Sequence, residues 1–197
     1  MGWFSPILTS SEMLRILEQS CLPQLQELDV ECIADEDDAA LWRYIPSAFP
    51  RLHYLRIHRY RDRSRHIVDV PVVRVVLVRR ALTCYLFLLQ SDIARSLAGL
   101  RALRVLFVHL DFKTAPHPWA MYNRTGKEEF AALWESMTSA AGILARTLAP
   151  SVEYVCLLRR ELSSNLWTPF RIERIEDGVG EPRVVYDKTL TEIDGFS

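Results

Sequence analysis

The sequence predicts an α/β solenoid of about four helix–strand units stacked in line, with parallel strands and a closing C-terminal β-hairpin. Three observations predict it. An apolar pattern recurs four times along the chain. A stretch with helical periodicity precedes each copy. Residues 168–187 then abandon that pattern for an alternating one with a glycine-rich turn.

The first copy is Leu22-Pro-Gln-Leu25-Gln-Glu-Leu28-Asp-Val30, with apolar residues at positions 1, 4, 7 and 9. Phe49-Pro-Arg-Leu52-His-Tyr-Leu55-Arg-Ile57 and Leu100-Arg-Ala-Leu103-Arg-Val-Leu106-Phe-Val108 repeat it, and Ala149-Pro-Ser-Val152-Glu-Tyr-Val155-Cys-Leu157 is a weaker fourth. The last three residues of each copy have the period of two that a strand requires. Proline stands early in three of the four, where it marks a turn.

The helices are read in order. Thr9 and Glu12 stand at capping-box spacing ahead of Met13, Leu14 and Leu17. Asp37 and Asp38 precede a helix over Ala39 to Ile45, and Ser91 precedes one over Asp92 to Leu97. Thr125 precedes the longest, Lys127 to Leu148, which sets Phe130, Leu133, Trp134, Met137, Ala141 and Leu144 on one face. A helix between consecutive strands makes them parallel neighbours. Phe170-Arg-Ile-Glu-Arg-Ile175 and Arg183-Val-Val-Tyr186 flank Glu-Asp-Gly-Val-Gly-Glu-Pro, a hairpin placed to cap the open sheet edge.

Length and composition fit one repeat-like domain over residues 1–197: 49% hydrophobic, 25% charged and a net charge of −1. Such a balance gives no overall field for nucleic acid or membrane. The cysteines Cys21, Cys32, Cys84 and Cys156 form no Cys-x-x-Cys pair and no metal-ligand spacing with histidine, so they read as reduced thiols of an intracellular, cytoplasmic or nuclear protein. Met1 to Leu14 lacks the basic start of a secretory signal.

Residues 72–90 stand apart. They separate the second and third copies, so that Phe49 to Leu100 is 51 residues whereas Leu22 to Phe49 is 27. Arg74, Arg79 and Arg80 interrupt the apolar run too often for a membrane span. Two readings stay open: an extra strand or helix, or a retained intron, since Cys84-Tyr-Leu-Phe-Leu-Leu-Gln90 can be written by a pyrimidine-rich tract ending in CAG.

With Ile57-His-Arg-Tyr60, Val105-Leu-Phe-Val-His-Leu-Asp-Phe112, Ile143-Leu-Ala-Arg-Thr-Leu-Ala-Pro-Ser-Val152 and Glu181-Pro-Arg-Val-Val-Tyr-Asp187, the copies resemble the irregular leucine-rich-repeat-like region of fungal F-box proteins, from about Leu22 onward. The resemblance implies the substrate-recruiting arm of a cullin-type ubiquitin ligase. The F-box itself, a Leu-Pro-led three-helix segment, is not evident before Leu22, and the Asn or Cys ladder of regular leucine-rich repeats is missing apart from Cys32.

No catalytic motif, metal set or cofactor loop is found in the sequence, and a non-enzymatic, protein-binding role is expected. If Leu28, Val30, Leu55, Ile57, Leu106, Val108, Val155 and Leu157 face the core, alternation puts Asp29, Arg56, Phe107 and Cys156 on the other face, extended by Glu31, His58 and His109. This face and Trp119, in the Pro-rich loop Thr114-Ala-Pro-His-Pro-Trp119, are the candidate contacts for a protein partner. The basic stretch Arg51 to His66, with Tyr54 and Tyr60 interleaved, is a second candidate, for nucleic acid, although pairing of Glu27, Asp29 and Glu31 with the next strand would occupy part of it. His109 and Asp111 share a strand face and read as a structural hydrogen bond. Asp35-Glu-Asp-Asp38 reads as a solvated loop favouring the helix that follows. Trp42, Trp119, Trp134 and Trp167 read as core or staple residues.

Overall fold

The computed structural model describes residues 7–61, 92–110, 112, 122–160, 165–174 and 180–190. The 72–90 insert, Cys84, Asp111 and Trp119 lie outside them. In chain order the elements are β1 (Leu8–Thr9), α1 (Ser10–Gln19), β2 (Glu27–Ala34), α2 (Asp38–Ala48), β3 (Tyr54–Arg61), α3 (residues 92–97), β4 (Val105–Val108), α4 (Arg124–Thr147), β5 (Tyr154–Arg160), β6 (Asn165–Glu173) and β7 (Arg183–Tyr186).

The strands form one open sheet in the order of the sequence. β1 to β5 pair in parallel; β5–β6 and β6–β7 are antiparallel. Equivalent positions of the four copies stand side by side: Leu28, Leu55, Leu106 and Val155 in one row, and Val30, Ile57, Val108 and Leu157 in another.

The repeat has a physical cause at its start. In each copy the amide of position 4 donates to the carbonyl of position 1: Leu25 to Leu22, Leu52 to Phe49, Leu103 to Leu100 and Val152 to Ala149, at 3.0 to 3.3 Å. That bond closes a turn, and proline supplies the fixed φ of its second residue in three copies. Position 5 then does the joining. The Gln26 carbonyl accepts from the amides of His53 and Tyr54, His53 from Arg104 and Val105, and Arg104 from Glu153 and Tyr154. Each carbonyl ties the next strand at its entry, so the units enter the sheet in one register.

The helices bury one face of this sheet. A single apolar cluster holds Leu17, Leu41, Ile45, Leu97, Met137 and Leu144 from the helices with Val30, Leu55, Ile57, Leu106, Val108 and Leu157 from the strands. α1 begins at the expected capping box: Thr9 Oγ1 accepts from the Glu12 amide at 3.2 Å, and Glu12 Oε2 accepts from the Thr9 amide at 2.8 Å. α2 runs through Pro46 to Ala48, beyond the expected end at Ile45, because Phe49 is fully buried and its amide closes the last turn on Ile45. α4 is capped by Asn123 rather than begun after Thr125: Asn123 Oδ1 accepts from the Gly126 amide at 2.7 Å.

One strand was not foreseen, and one begins earlier than expected. β1 precedes the first copy and, among the described residues, pairs with Cys32 and Ile33. β6 begins at Asn165, ahead of the expected hairpin, because it pairs with β5 as well as with β7. The hairpin is also bolted to the helix layer. The Arg174 guanidinium donates to the carbonyls of Val152, Ala149 and Ala145, at 2.6, 3.2 and 3.4 Å, which supplies a charged donor to acceptors near the end of α4 and in the turn beyond it.

Leu55, with no exposed surface, sits between Leu28 and Leu106 in the central row. Leu55→Ala is expected to lower stability in urea by ~2–5 kcal/mol. Leu22→Ala, at a residue 52% exposed, is expected to change it by under ~0.5 kcal/mol. Equal effects would contradict the assignment of faces.

Candidate functional site

The second face of the sheet carries the candidate residues. Asp29, Arg56, Phe107 and Cys156 form one cross-strand row, continued by Pro169; Glu31 and His58 lie in the next. Asp29 and Arg56 are joined by an ion pair of 3.2 Å, the cross-strand pairing that their alternation suggests. The Arg56 guanidinium also lies over the rings of Phe107 and Tyr54, at 4.9 and 5.5 Å. Stacking and charge together hold that side chain flat on the sheet.

Phe107 is 1% exposed although it is on this face. Tyr54, Arg56 and Trp167 wall it in, with ring centroids of the two aromatics 5.2 and 5.1 Å away. His109 and Cys156 are equally buried. These three of the expected contact residues therefore support the face from beneath, and Asp29, Glu31, Arg56 and His58 are the ones that reach its surface. Trp167 belongs with them. It contacts His58 edge-on at 5.0 Å, and so is neither the core nor the staple residue expected from sequence. The signal that could have found it is the antiparallel register of β6, which sets Trp167 opposite Leu158 on the outer face. Trp42 is a core residue as expected, and Trp134 packs on Tyr186 and Phe170.

Burial lowers the His58 pKa against the opposing pull of Asp29 and Glu31. At neutral pH the face therefore presents His58 as a neutral ring. Burial, with a hydrogen bond to Glu31, pushes the Tyr60 hydroxyl up to about 12. Burial likewise raises Cys32 to about 11 and Cys156 to about 12, so both stay protonated thiols and are poor nucleophiles. Among the described residues no three His, Cys, Asp or Glu side chains are grouped to hold a metal ion. No helix among them is long and apolar enough to cross a membrane.

The acidic run Asp35 to Asp38 is solvated at Glu36 and Asp37, as expected, but not at its end. Asp38 is buried, and its carboxylate takes Arg59 Nε at 2.8 Å on one oxygen and Ser10 Oγ at 3.0 Å on the other. Asp35 accepts from the Ser11 amide at 3.1 Å and Asp37 from the Ser11 hydroxyl at 2.9 Å, which puts negative charge on the N-terminus of α1. Burial works to raise the Asp35 carboxyl, but these Ser11 contacts and the Asp37 amide outweigh it and hold it below its ordinary value. The cause lies in pairing: Arg59 sits beside Cys32 on the helix-covered face, where a cation without a carboxylate would be costly. Two arginines of the basic stretch, Arg56 and Arg59, are thus committed to carboxylates. Arg63, Arg65 and His66 lie outside the described residues, as does Asp111, the expected partner of His109.

No family model, curated protein or solved structure matches the chain.

Arg59→Met is expected to cost about 3–5 kcal/mol by leaving Asp38 buried without its cation, and the double variant Arg59→Met/Asp38→Leu to recover most of that loss in the same denaturation assay. An additive double variant would mean that the pair is not coupled. Iodoacetamide at pH 8, followed by peptide mass spectrometry, is expected to label exposed Cys21 in the native protein and to spare Cys32 and Cys156. Rapid native labelling of Cys156 would contradict its burial.

Proposed function

We propose that this protein is a non-enzymatic protein-interaction scaffold. In this reading its units stack as an irregular leucine-rich-repeat-like solenoid. Its role is that of the substrate-recruiting region of fungal F-box proteins, serving a cullin-type ubiquitin ligase inside the cell.

The observation that carries the reading is the division of labour between the two sheet faces. One is consumed by the helices. The other carries Glu31, Arg56, His58, Tyr60 and Trp167 at its surface over buried Phe107, an arrangement of aromatic and charged groups on a rigid base. Protein interfaces draw their strongest anchors from tryptophan, tyrosine and arginine. A stiff parallel sheet holds such anchors in place before binding, which lowers the ordering cost of association. The commitment of Arg56 and Arg59 to carboxylates favours a protein over a polyanion as the partner.

The test is retention of partners by the tagged protein, with quantitative mass spectrometry of what is held. The double variant His58→Ala/Trp167→Ala is expected to lose partners by about fivefold or more. Lys127→Ala/Glu129→Ala, on the exposed side of α4, is expected to retain them. Circular dichroism confirms that both fold. The same partners held equally by all three proteins would overturn the proposal.

A further inference from the structure

Two neighbouring rows on the open face of the sheet carry the same kinds of groups, and one of them lacks a part. In the first row Asp29 of β2 stands beside Arg56 of β3, and Arg56 beside Phe107 of β4. The guanidinium is held from two directions. It pairs with Asp29 at 3.2 Å and lies over the Phe107 ring at 4.9 Å. Carboxylate and ring attract the same charge, because the face of an aromatic ring is its negative side.

The next row begins on the same strands. Glu31 of β2 stands beside His58 of β3. Trp167 of β6 leans over β5 and β4 to meet His58 edge-on, at 5.0 Å and 73°. It meets Phe107 at 88°, so neither ring is stacked on the indole. Trp167 is partly exposed and Glu31 is exposed. The Tyr60 hydroxyl donates to the Glu31 carboxylate, which gives it a hydrogen bond but no countercharge. Among the described residues Glu31 has no ion pair. Arg160 of β5 stands one row further on, and its charge bears on the Tyr60 hydroxyl. His58 fills the place that Arg56 fills in the first row, but burial keeps it a neutral ring at neutral pH. The row has its carboxylate and its ring and lacks the cation.

We infer that a partner protein supplies this cation, as an arginine side chain laid across His58 between Trp167 and Glu31. A guanidinium is planar, so it lies flat on a ring while its edge donates to a carboxylate, as Arg56 does between Phe107 and Asp29. Of the aromatic side chains, indole attracts a cation most strongly. An acidic side chain at the same place would face the Glu31 carboxylate and the negative face of the indole, so the site rejects it. Glu27, Asp29 and Glu31 are all exposed on this face, and Arg56 neutralises one of the three. The inference rests on the scaffold reading for the kind of partner, a protein, and adds the side chain by which the face holds it.

The experiment uses the full chain and two small probes, N-acetyl-arginine methylamide and N-acetyl-citrulline methylamide. Citrulline keeps the length and the planar end group of arginine but carries no charge. Binding is followed by the indole N–H resonance of Trp167 in two-dimensional proton–nitrogen spectra, assigned by its loss in Trp167→Phe. The arginine probe is expected to shift this resonance and to bind about threefold or more tightly than the citrulline probe. Glu31→Gln is expected to remove that difference. His58→Lys, which gives the row a cation of its own, is expected to abolish arginine binding. The dispersion of the other resonances confirms that each variant folds.

Equal affinity for the two probes would show a ring surface indifferent to charge and overturn the inference. A preference for arginine that Glu31→Gln or His58→Lys leaves unchanged would overturn it too. If His58→Ala/Trp167→Ala loses its partners while the arginine probe leaves the Trp167 resonance unmoved, this inference falls and the scaffold reading stands.

Discussion

The carbonyl at the fifth position of each repeat is the joint on which the structure depends. Gln26, His53 and Arg104 each accept two amides from the following unit at the point where its strand enters the sheet. A hydrogen bond of this kind contributes only ~1 kcal/mol net. Its larger effect is on register. Side chains alternate with a period of two, so a slip of one residue would turn every core residue to the outside. Fixing the entry of each strand fixes both faces at once. The last joint is adapted: the Glu153 carbonyl takes the Ile172 amide, and the chain returns antiparallel instead of adding another helix–strand unit.

With the register fixed, the two faces take on unlike tasks. The helix side is apolar except where Arg59 enters it, and there the structure supplies Asp38, the first residue of α2, with Ser10 completing the carboxylate's contacts. Burying that charge ties α1, β2, α2 and β3 together at one point. The other side keeps its charges near solvent and a fully buried ring, Phe107, beneath them. Arg56 illustrates the economy of the arrangement, since it neutralises Asp29 and covers Phe107 with one side chain.

Binding at such a surface requires little rearrangement, because its anchors are held by neighbours on the same sheet. Tyr54, Arg56, His58 and Trp167 come from β3 and β6, which are not adjacent in the sheet, and they meet over β4 through Phe107. The acidic residues Glu27, Asp29 and Glu31 of β2 border this group.

Much of the fold was legible in the residues. The four copies, their helices and the hairpin follow from periods of two and 3.6 and from capping and turn chemistry, and these are local properties of the chain. The expected face of Asp29, Arg56, Phe107 and Cys156 was legible for the same reason, as alternation is inherent in a strand. What the residues did not disclose is whatever depends on distant partners. Asp38 is an ordinary helix-start aspartate until Arg59 is folded against it. Phe107 is an outer-face residue that becomes buried only when Trp167, from a strand beyond β5, closes over it. By itself, then, the sequence determined the units and which way each side chain points, because those are set by neighbours along the chain. The tertiary structure alone decided which outward-facing groups are covered and which charges are paired, because those depend on elements brought together from far apart.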